Sequence, residues 1–334
     1  MELTRRKCLA GAGGLLALVC DFSAARSVPE QRTGVVVMGG PAFGSYWRVT
    51  VPKGSDETAV RTQIKAVIKA VDDSMSPFRA ATEISRFNAT RTTRPFAASS
   101  QLRVVVSESL RIARLSDGAF DPTVGPLVNR YGFGPIKGEP GANFTDIAVG
   151  AGTISKSRPD ATLDLCGIAK GYALDLIAKA LEAIGVRDFV VELGGEVIAY
   201  GRHPRGRPWR IAVEAPQQDD RTVQRVVELG GHALATSGDK INGYTVAGRR
   251  YNHIIDMKRS APADAGIASV SVIARSAMEA DALATTIIAL GSRKGWEFAS
   301  RHNISALILV RDRDGIHEHA VSNFRNFDSV KEKA

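Results

Sequence analysis

SAMEADALATTIIALG, residues 276–291, carries the punctuation of a helix. Ser276 and Glu279 form a capping box, and Gly291 stands where a left-handed C-cap falls. Ala280, Leu283, Ala284, Ile287 and Ile288 recur at helical spacing as one apolar arc. Asp281 and Thr285 are four apart, so they lie one above the other on a face that borders this arc. A carboxylate and a hydroxyl turned inward near a helix N-terminus are two hard oxygens of the kind Mg2+ takes. A plainer reading has Asp281 favouring the positive helix end and Thr285 bonding back to its own backbone. Spacing alone prefers the plainer one.

Working outward, residues 267–273 read as a strand feeding this helix, and residues 293–301 as a helix after it. Residues 305–310 and 316–321 form a hairpin across Asp314-Gly315. Upstream, residues 188–193 and 196–201 are strands around the turn Gly194-Gly195, and residues 209–214 and 222–229 are strands of a meander. Residues 233–239 are a strand and then a turn. Residues 251–256 are a strand with His253 and Ile255 on one side and Asn252, Ile254 and Asp256 on the other. Amphipathic helices fall at residues 58–71 and 100–115, with a short helical turn at 83–88 and turn-forming residues at 72–78. Residues 34–38 begin a strand, PAFGSYW from Pro41 is a loop, and residues 46–51 alternate as a strand. Strands and helices are interspersed without strict alternation, and no repeat is present. The fold class is α+β, with mixed or antiparallel sheets and packed helices.

Of 334 residues, 44% are apolar and 24% charged, enough for one large core or two modest ones and too apolar for wholesale disorder. The net charge of +9 is scattered, densest at Arg202, Arg205, Arg207 and Arg210, and no Arg/aromatic platform argues for nucleic acid. Thr4-Arg5-Arg6-Lys7-Cys8-Leu9 is a twin-arginine pattern, followed by an apolar run at residues 9–19 too short for a permanent span. Ser23-Ala24-Ala25 supplies a cleavage site. Cys20 lies after a poor lipobox, so cleavage is preferred to lipid anchoring. The expectation is a signal peptide over 1–25, a linker over 26–36, one domain over 37–325 and a polar tail over 326–334, in a periplasmic protein. Cleavage leaves Cys166 alone, so no internal disulfide staples the chain.

Two further stretches bear on chemistry. Residues 119–134, AFDPTVGPLVNRYGFG, form a rigid loop in which proline and glycine exclude a regular element, and it carries Phe120 and Asp121. Residues 162–165 read as a strand that Gly167-Ile168-Ala169-Lys170-Gly171 carries into a helix ending near Gly185. A strand, a glycine-bearing loop and a lysine at a helix start suit a phosphate, although the Walker A spacing is absent. Lys170 has an equally simple reading as a solvated helix-start residue. A lone His253 is more often structural than catalytic.

Taken together, eight blocks resemble the FAD:protein FMN transferase (ApbE) family: PAFGSYW, MSPF with EISRFN, GAFDPTVGPLVNRYGFG, LDLCGIAKGYALD, ELGGEV, ATSGD, HIID and ADALATT. They occur in the family's order over residues 37–325. The resemblance implies the family's T-fold-related architecture with an active site in a cleft between subdomains. It implies transfer of FMN from the substrate FAD to a Thr or Ser hydroxyl of a partner flavoprotein, with AMP released. It makes Asp281 and Thr285 side-chain ligands of Mg2+, with the backbone carbonyl of Gly167 as the third protein ligand. FAD contacts carry over to Phe43, Phe78, Ala119, Phe120, Asp121, Asp164 and Lys170, and the catalytic histidine to His253. Exported members serve membrane flavoproteins of ion-pumping redox complexes, and the twin-arginine start also resembles the NosX branch, whose acceptor is NosR.

The chain departs from the family pattern in four places. Phe43 and Ser45 stand where Met and Thr are usual, Phe78 where Tyr or Trp often stacks on the flavin, and Cys166 where a Ser or Gly is usual. After HIID the family continues Pro-x-Thr-Gly-x-Pro, whereas this chain has Met257-Lys258-Arg259-Ser260-Ala261-Pro262. Phosphoryl transfer needs alignment of the attacking hydroxyl and neutralised oxygen charge, and a base such as histidine contributes roughly 10²–10⁴. The same metal site without an acceptor groove suits an FAD pyrophosphatase, and one without catalysis a flavin-binding assembly protein.

Overall fold

The computed structural model describes residues 34–216, 222–239, 243–246, 249–264 and 266–329. The signal-peptide reading and most of the linker lie outside these residues. Strands β1 (Val35–Ala42) and β2 (Ser45–Pro52) lead into helices α1 (Glu57–Met75) and α2 (Glu83–Ala89). Next come β3 (Phe96–Ala97), α3 (Ser100–Leu115), α4 (Gly125–Arg130), β4 (Ile147–Gly150), β5 (Thr153–Lys156) and α5 (Ala169–Ala183). A run of strands follows: β6 (Phe189–Leu193), β7 (Glu196–Tyr200), β8 (Trp209–Glu214), β9 (Val223–Leu229), β10 (His232–Gly238), β11 (Gly243–Val246), β12 (Arg249–Asn252), β13 (Ile255–Asp256), β14 (Ala261–Pro262) and β15 (Ile267–Ala274). The chain closes with α6 (Ala277–Leu290), α7 (Ser292–Arg301), β16 (Ser305–Asp312) and β17 (Gly315–Val321).

One eight-stranded sheet, β1-β2-β6-β7-β10-β15-β16-β17, organises the molecule, and every neighbouring pair in it is antiparallel. Its central strands read as near-continuous apolar runs because both faces are covered. Alternation divides them: Ala233, Val270, Val272, Ala306 and Ile308 face a core built with α1, α5 and α6. Leu234, Ala268, Leu307 and Leu309 face a second core closed by Trp209, Ile211 and Val213 of the β8–β9 hairpin and by Phe324. The fold is α+β, as the sequence implies. Among the described residues no helix is long and apolar enough to cross a membrane.

Helix α6 lies in the middle of the helical layer, and this corrects its reading as a one-faced helix. Ala277, Ala280, Ala282, Leu283, Ala284, Thr286, Ile287, Ile288 and Ala289 are buried, so it is apolar on nearly every side. Ser276 caps it by accepting from the Glu279 amide, but the reciprocal half of the capping box is absent, because Glu279 pairs with Arg111. Gly291 has the positive φ expected (78°) with an extended ψ (171°), and it opens α7 directly.

Other differences have local causes. Pro41 does not end a strand: β1 is the sheet edge, where a missing N–H is tolerated, and Phe43-Gly44 (φ 50° and 71°) make a two-residue hairpin turn. Residues 72–75 belong to α1, burying Ser74 and Met75. In the loop read as irregular, Pro126 starts the short helix α4, where its lack of an N–H costs nothing. Residues 162–165 are not a strand. Their backbone is satisfied by the Asn88 side chain, which bonds both Leu163 N (2.7 Å) and Leu163 O (2.8 Å), and by Pro122 O, which accepts from the Asp164 amide (2.7 Å). The strand read at 251–256 breaks after Asn252, whose Oδ1 accepts from the Ile254 amide (2.9 Å). His253 therefore sits in a bend between β12 and β13.

Candidate active site

Helices α5 and α6 hold each other's N-termini. Asp175 of α5 accepts from Ser276 Oγ (2.7 Å) and from the Ala277 and Met278 amides (2.7 and 3.1 Å), capping α6. Asp281 of α6 accepts in return from the Gly171 amide at 3.0 Å. The close approach needs glycine: a Cβ on Gly171 would fall 2.2 Å from the Ala277 carbonyl oxygen. This crossed arrangement places Asp281 inside the protein, 2% exposed, beside the start of α5.

A cavity of about 830 Å³ opens at this junction. Phe43, Phe78, Ala119, Phe120, Asp121, Asp164, Gly167, Lys170, His253, Asp281 and Thr285 all line it. Phe78 is 69% exposed, so its ring stands at the rim. The Lys170 side chain is partly exposed to the cavity, and its ammonium is ion-paired with Glu196, a residue the site-by-site reading of the sequence missed. Thr285 does not bond back to its helix as its neighbour does, where Thr286 Oγ1 donates to Ala282 O. Thr285 Oγ1 instead meets Ser237 Oγ at 3.3 Å, and Gly167 packs so closely that a Cβ there would lie 3.3 Å from the same hydroxyl.

The carboxylates differ in what they offer. Asp121 spends both oxygens on its own loop: Oδ1 accepts from Thr123 N and Oγ1 (2.8 and 2.7 Å) and Oδ2 from Phe144 N (3.0 Å). Asp164 Oδ1 accepts from the Cys166 amide at 3.0 Å. Burial pushes both carboxyls above the ordinary range, with those hydrogen bonds opposing. They shape the wall. Burial also raises Asp281, against the pull of Lys170, and raises Glu196 to about 7. Burial pulls the Lys170 ammonium down, but Glu196 and Asp281 outweigh it and hold it charged. The Cys166 thiol, exposed where it lines the cavity, is raised by the surrounding protein and by the neighbouring Asp164 carboxylate.

The donor set fits a hard divalent cation. Asp281, Thr285, Ser237 and the backbone at Gly167 are all oxygen donors lining the cavity. Among the described residues no three His, Cys, Asp or Glu side chains cluster as a ligand set. That pattern suits Mg2+, which is held by one or two carboxylates together with substrate phosphates.

The loop after HIID is ordered as the hairpin β13–β14, pairing Ile255 with Pro262 and Asp256 with Ala261. Asp256 Oδ1 accepts from the Lys258 and Arg259 amides (3.0 and 3.2 Å). Ser260, at the position where the family pattern has glycine, adopts φ 50°. Lys258 pairs with Asp117 and Tyr131 Oη donates to Ser260 O, fastening the hairpin over residues 117–131. Phe133 stacks on Tyr244 and meets the His253 ring edge-on at 6.3 Å, so the imidazole adjoins an aromatic cluster at the cavity wall.

Comparison with known proteins agrees with this architecture. Residues 43–308 match the model of the ApbE family, and the chain belongs to that family of flavin transferases. It is 38% identical to the FAD:protein FMN transferase of Vibrio cholerae, over 89% of this chain and 94% of that protein. It is 32% identical to the Salmonella typhimurium FAD:protein FMN transferase, over 98% of each. Among solved structures, the flavin transferase ApbE from Vibrio cholerae superposes with a TM-score of 0.80 at 36% identity, covering 88% of this chain and 99% of that one. The apo Pseudomonas stutzeri flavinyl transferase ApbE gives 0.80 at 32% identity, covering 89% and 98%.

Proposed function

We propose that this protein transfers the FMN moiety of FAD to a Thr or Ser hydroxyl of a partner flavoprotein as a phosphoester, releasing AMP. The observation that carries this reading is the convergence of Lys170, Asp281, Thr285 and His253 on one cavity with phenylalanine rings on its wall and rim. Its volume, about 830 Å³, is of the size that takes a dinucleotide-like ligand. The names of the relatives support the same reading.

Phe43 and Phe78 offer ring faces to the isoalloxazine. Lys170 presents a fixed positive charge to the pyrophosphate. Asp281, Thr285 and the Gly167 carbonyl would hold Mg2+, which when bound supplies Lewis-acid neutralisation of the charge on the pyrophosphate oxygens. His253 accepts the proton of the acceptor hydroxyl at an imidazole nitrogen. The freed oxygen attacks the FMN phosphorus, the bond to the AMP oxygen breaks, and AMP leaves with that electron pair. The β13–β14 hairpin excludes water from the acceptor side, which separates transfer from hydrolysis.

Incubating the purified protein with FAD, Mg2+ and candidate acceptors tests the proposal. Covalent flavin fluorescence on the acceptor supports it. Free FMN with AMP identifies a pyrophosphatase, and unchanged bound FAD a flavin-binding protein. The location we infer is the periplasm, from the twin-arginine start alone; a mature protein beginning at Met1 would overturn that.

A further inference from the structure

We infer that Glu196 is the positioning residue for Lys170, and that it acts on the reaction only through that ammonium. The inference rests on the transferase reading above, in which Lys170 meets the pyrophosphate. Glu196 opens β7 immediately after Gly194-Gly195, whose φ values of 60° and 103° belong to glycine. The rest of β7 is apolar, yet this carboxylate is 2% exposed and lines the cavity. A buried charge without a counterion is strongly destabilising. Its counterion is Lys170, whose ammonium donates to Glu196 Oε1.

A lysine side chain is a flexible stem, and α5 fixes only its backbone. The remaining constraint comes from this turn. The Lys170 stem runs alongside Gly194, whose ideal Cβ position lies 3.5 Å from Lys170 Cδ, so the turn itself forms one wall of the stem's path. Glu196 then fixes the far end. Its second oxygen, Oε2, is buried with no hydrogen-bond partner, and a stability role alone would favour satisfying it. The charges agree with the geometry: Glu196 and Asp281 keep the ammonium protonated against the pull of burial.

The test compares wild type, Glu196→Gln, Lys170→Met and Lys170→Met/Glu196→Gln, with FAD and with riboflavin, which has no phosphate. Glu196→Gln is expected to slow FMN transfer at saturating FAD by roughly 10–100-fold, the range for losing a hydrogen bond to a charged group. Riboflavin affinity should stay near wild type, and any fall in melting temperature should be recovered in the double variant, which buries neither charge. The double variant should transfer no more slowly than Lys170→Met alone. If Glu196→Gln slows Lys170→Met by the same factor as it slows wild type, Glu196 acts independently and the inference is overturned. Equal loss of riboflavin and FAD binding would also overturn it, as would a Glu196→Gln protein at the wild-type rate. Lys170→Met transferring at the wild-type rate would instead remove the phosphate role of Lys170, and the inference with it. Should Glu196→Gln fold poorly alone, the double variant buries neither charge, and its comparison with Lys170→Met still decides.

Discussion

The Gly171 amide donates to the Asp281 carboxylate at 3.0 Å, so the residue proposed to hold the cation is itself held by the helix that carries Lys170. Gly171→Ala would press a methyl group against the Ala277 carbonyl, 2.2 Å away, and backbone cannot step aside cheaply. The expected loss is about 1–3 kcal/mol, the range for overpacking. Thermal unfolding with FAD titration checks it; an unchanged melting temperature and affinity would show that the junction tolerates separation.

Asp281→Ala should abolish Mg2+-dependent transfer while the helix persists, since alanine is the better helix former. Thr285→Ala removes only a neutral oxygen and should be milder, raising the Mg2+ requirement more than it lowers the limiting rate. Rates measured across Mg2+ concentration distinguish them. Full activity of Asp281→Ala at limiting Mg2+ would place the cation elsewhere.

His253→Ala should bind FAD nearly normally and lose roughly 10²–10⁴ in transfer rate. His253→Gln should not recover it, because an amide donates and accepts hydrogen bonds but takes no proton at neutral pH. A ring that only packs against Phe133 would instead give a lower melting temperature and weaker FAD binding together. A stable His253→Ala protein working at the wild-type rate would end the mechanism.

Ser260→Gly should stabilise the protein. Removing the Cβ from a residue held in the left-handed region relieves about 1–2 kcal/mol, and glycine's extra freedom in the unfolded chain takes back about 0.5–1. The net gain is about 0.5–1 kcal/mol, read from denaturant midpoints at constant m. A loss would mean that the Ser260 side chain contributes more than its backbone costs.

Stability should fall as pH rises towards neutrality. Glu196 has its carboxyl raised by burial from an ordinary 4.5 to about 7, so the folded state holds that proton more firmly than the unfolded one. Its contribution is therefore complete below about 4.5 and is lost as pH rises through about 7. That value already includes the opposing pull of Lys170, so the effect is on the order of 3 kcal/mol at most. Melting temperatures of metal-free wild type and Glu196→Gln between pH 4.5 and 8 test this. The variant should show the shallower decline, and parallel curves would exclude the carboxyl as its source.

The sequence made the site residues legible because their blocks are local: Asp281 with Thr285, Lys170 between Ala169 and Gly171, His253 before Ile254. The resemblance assembled them, and the cavity brings all of them together. What stayed hidden depends on distant partners. Glu196 stood in a quoted block as one acid in an apolar strand after two glycines, a signal worth reading, but its role needs Lys170 beside it. Nothing near residues 162–165 shows that Asn88 will replace a neighbouring strand. Helix α6 looked one-sided because its alanines count weakly as apolar, although the fold buries them all round.

The pairing of Trp47 with Leu193 across β2 and β6 closes a loop holding five helices, α1 to α5, and the small β3–β5–β4 sheet. Closing so long a loop is entropically slow, whereas β15, β16 and β17 pair along a short stretch of chain. The cavity draws walls from both sides of that late junction: Phe78 and Asp121 lie inside the loop, His253 and Asp281 beyond it. A partly folded chain thus has fragments of the wall and no place for the ligand. Ligand capture becomes a report on completed folding, and FAD favours the finished chain over every intermediate that lacks the β2–β6 contact.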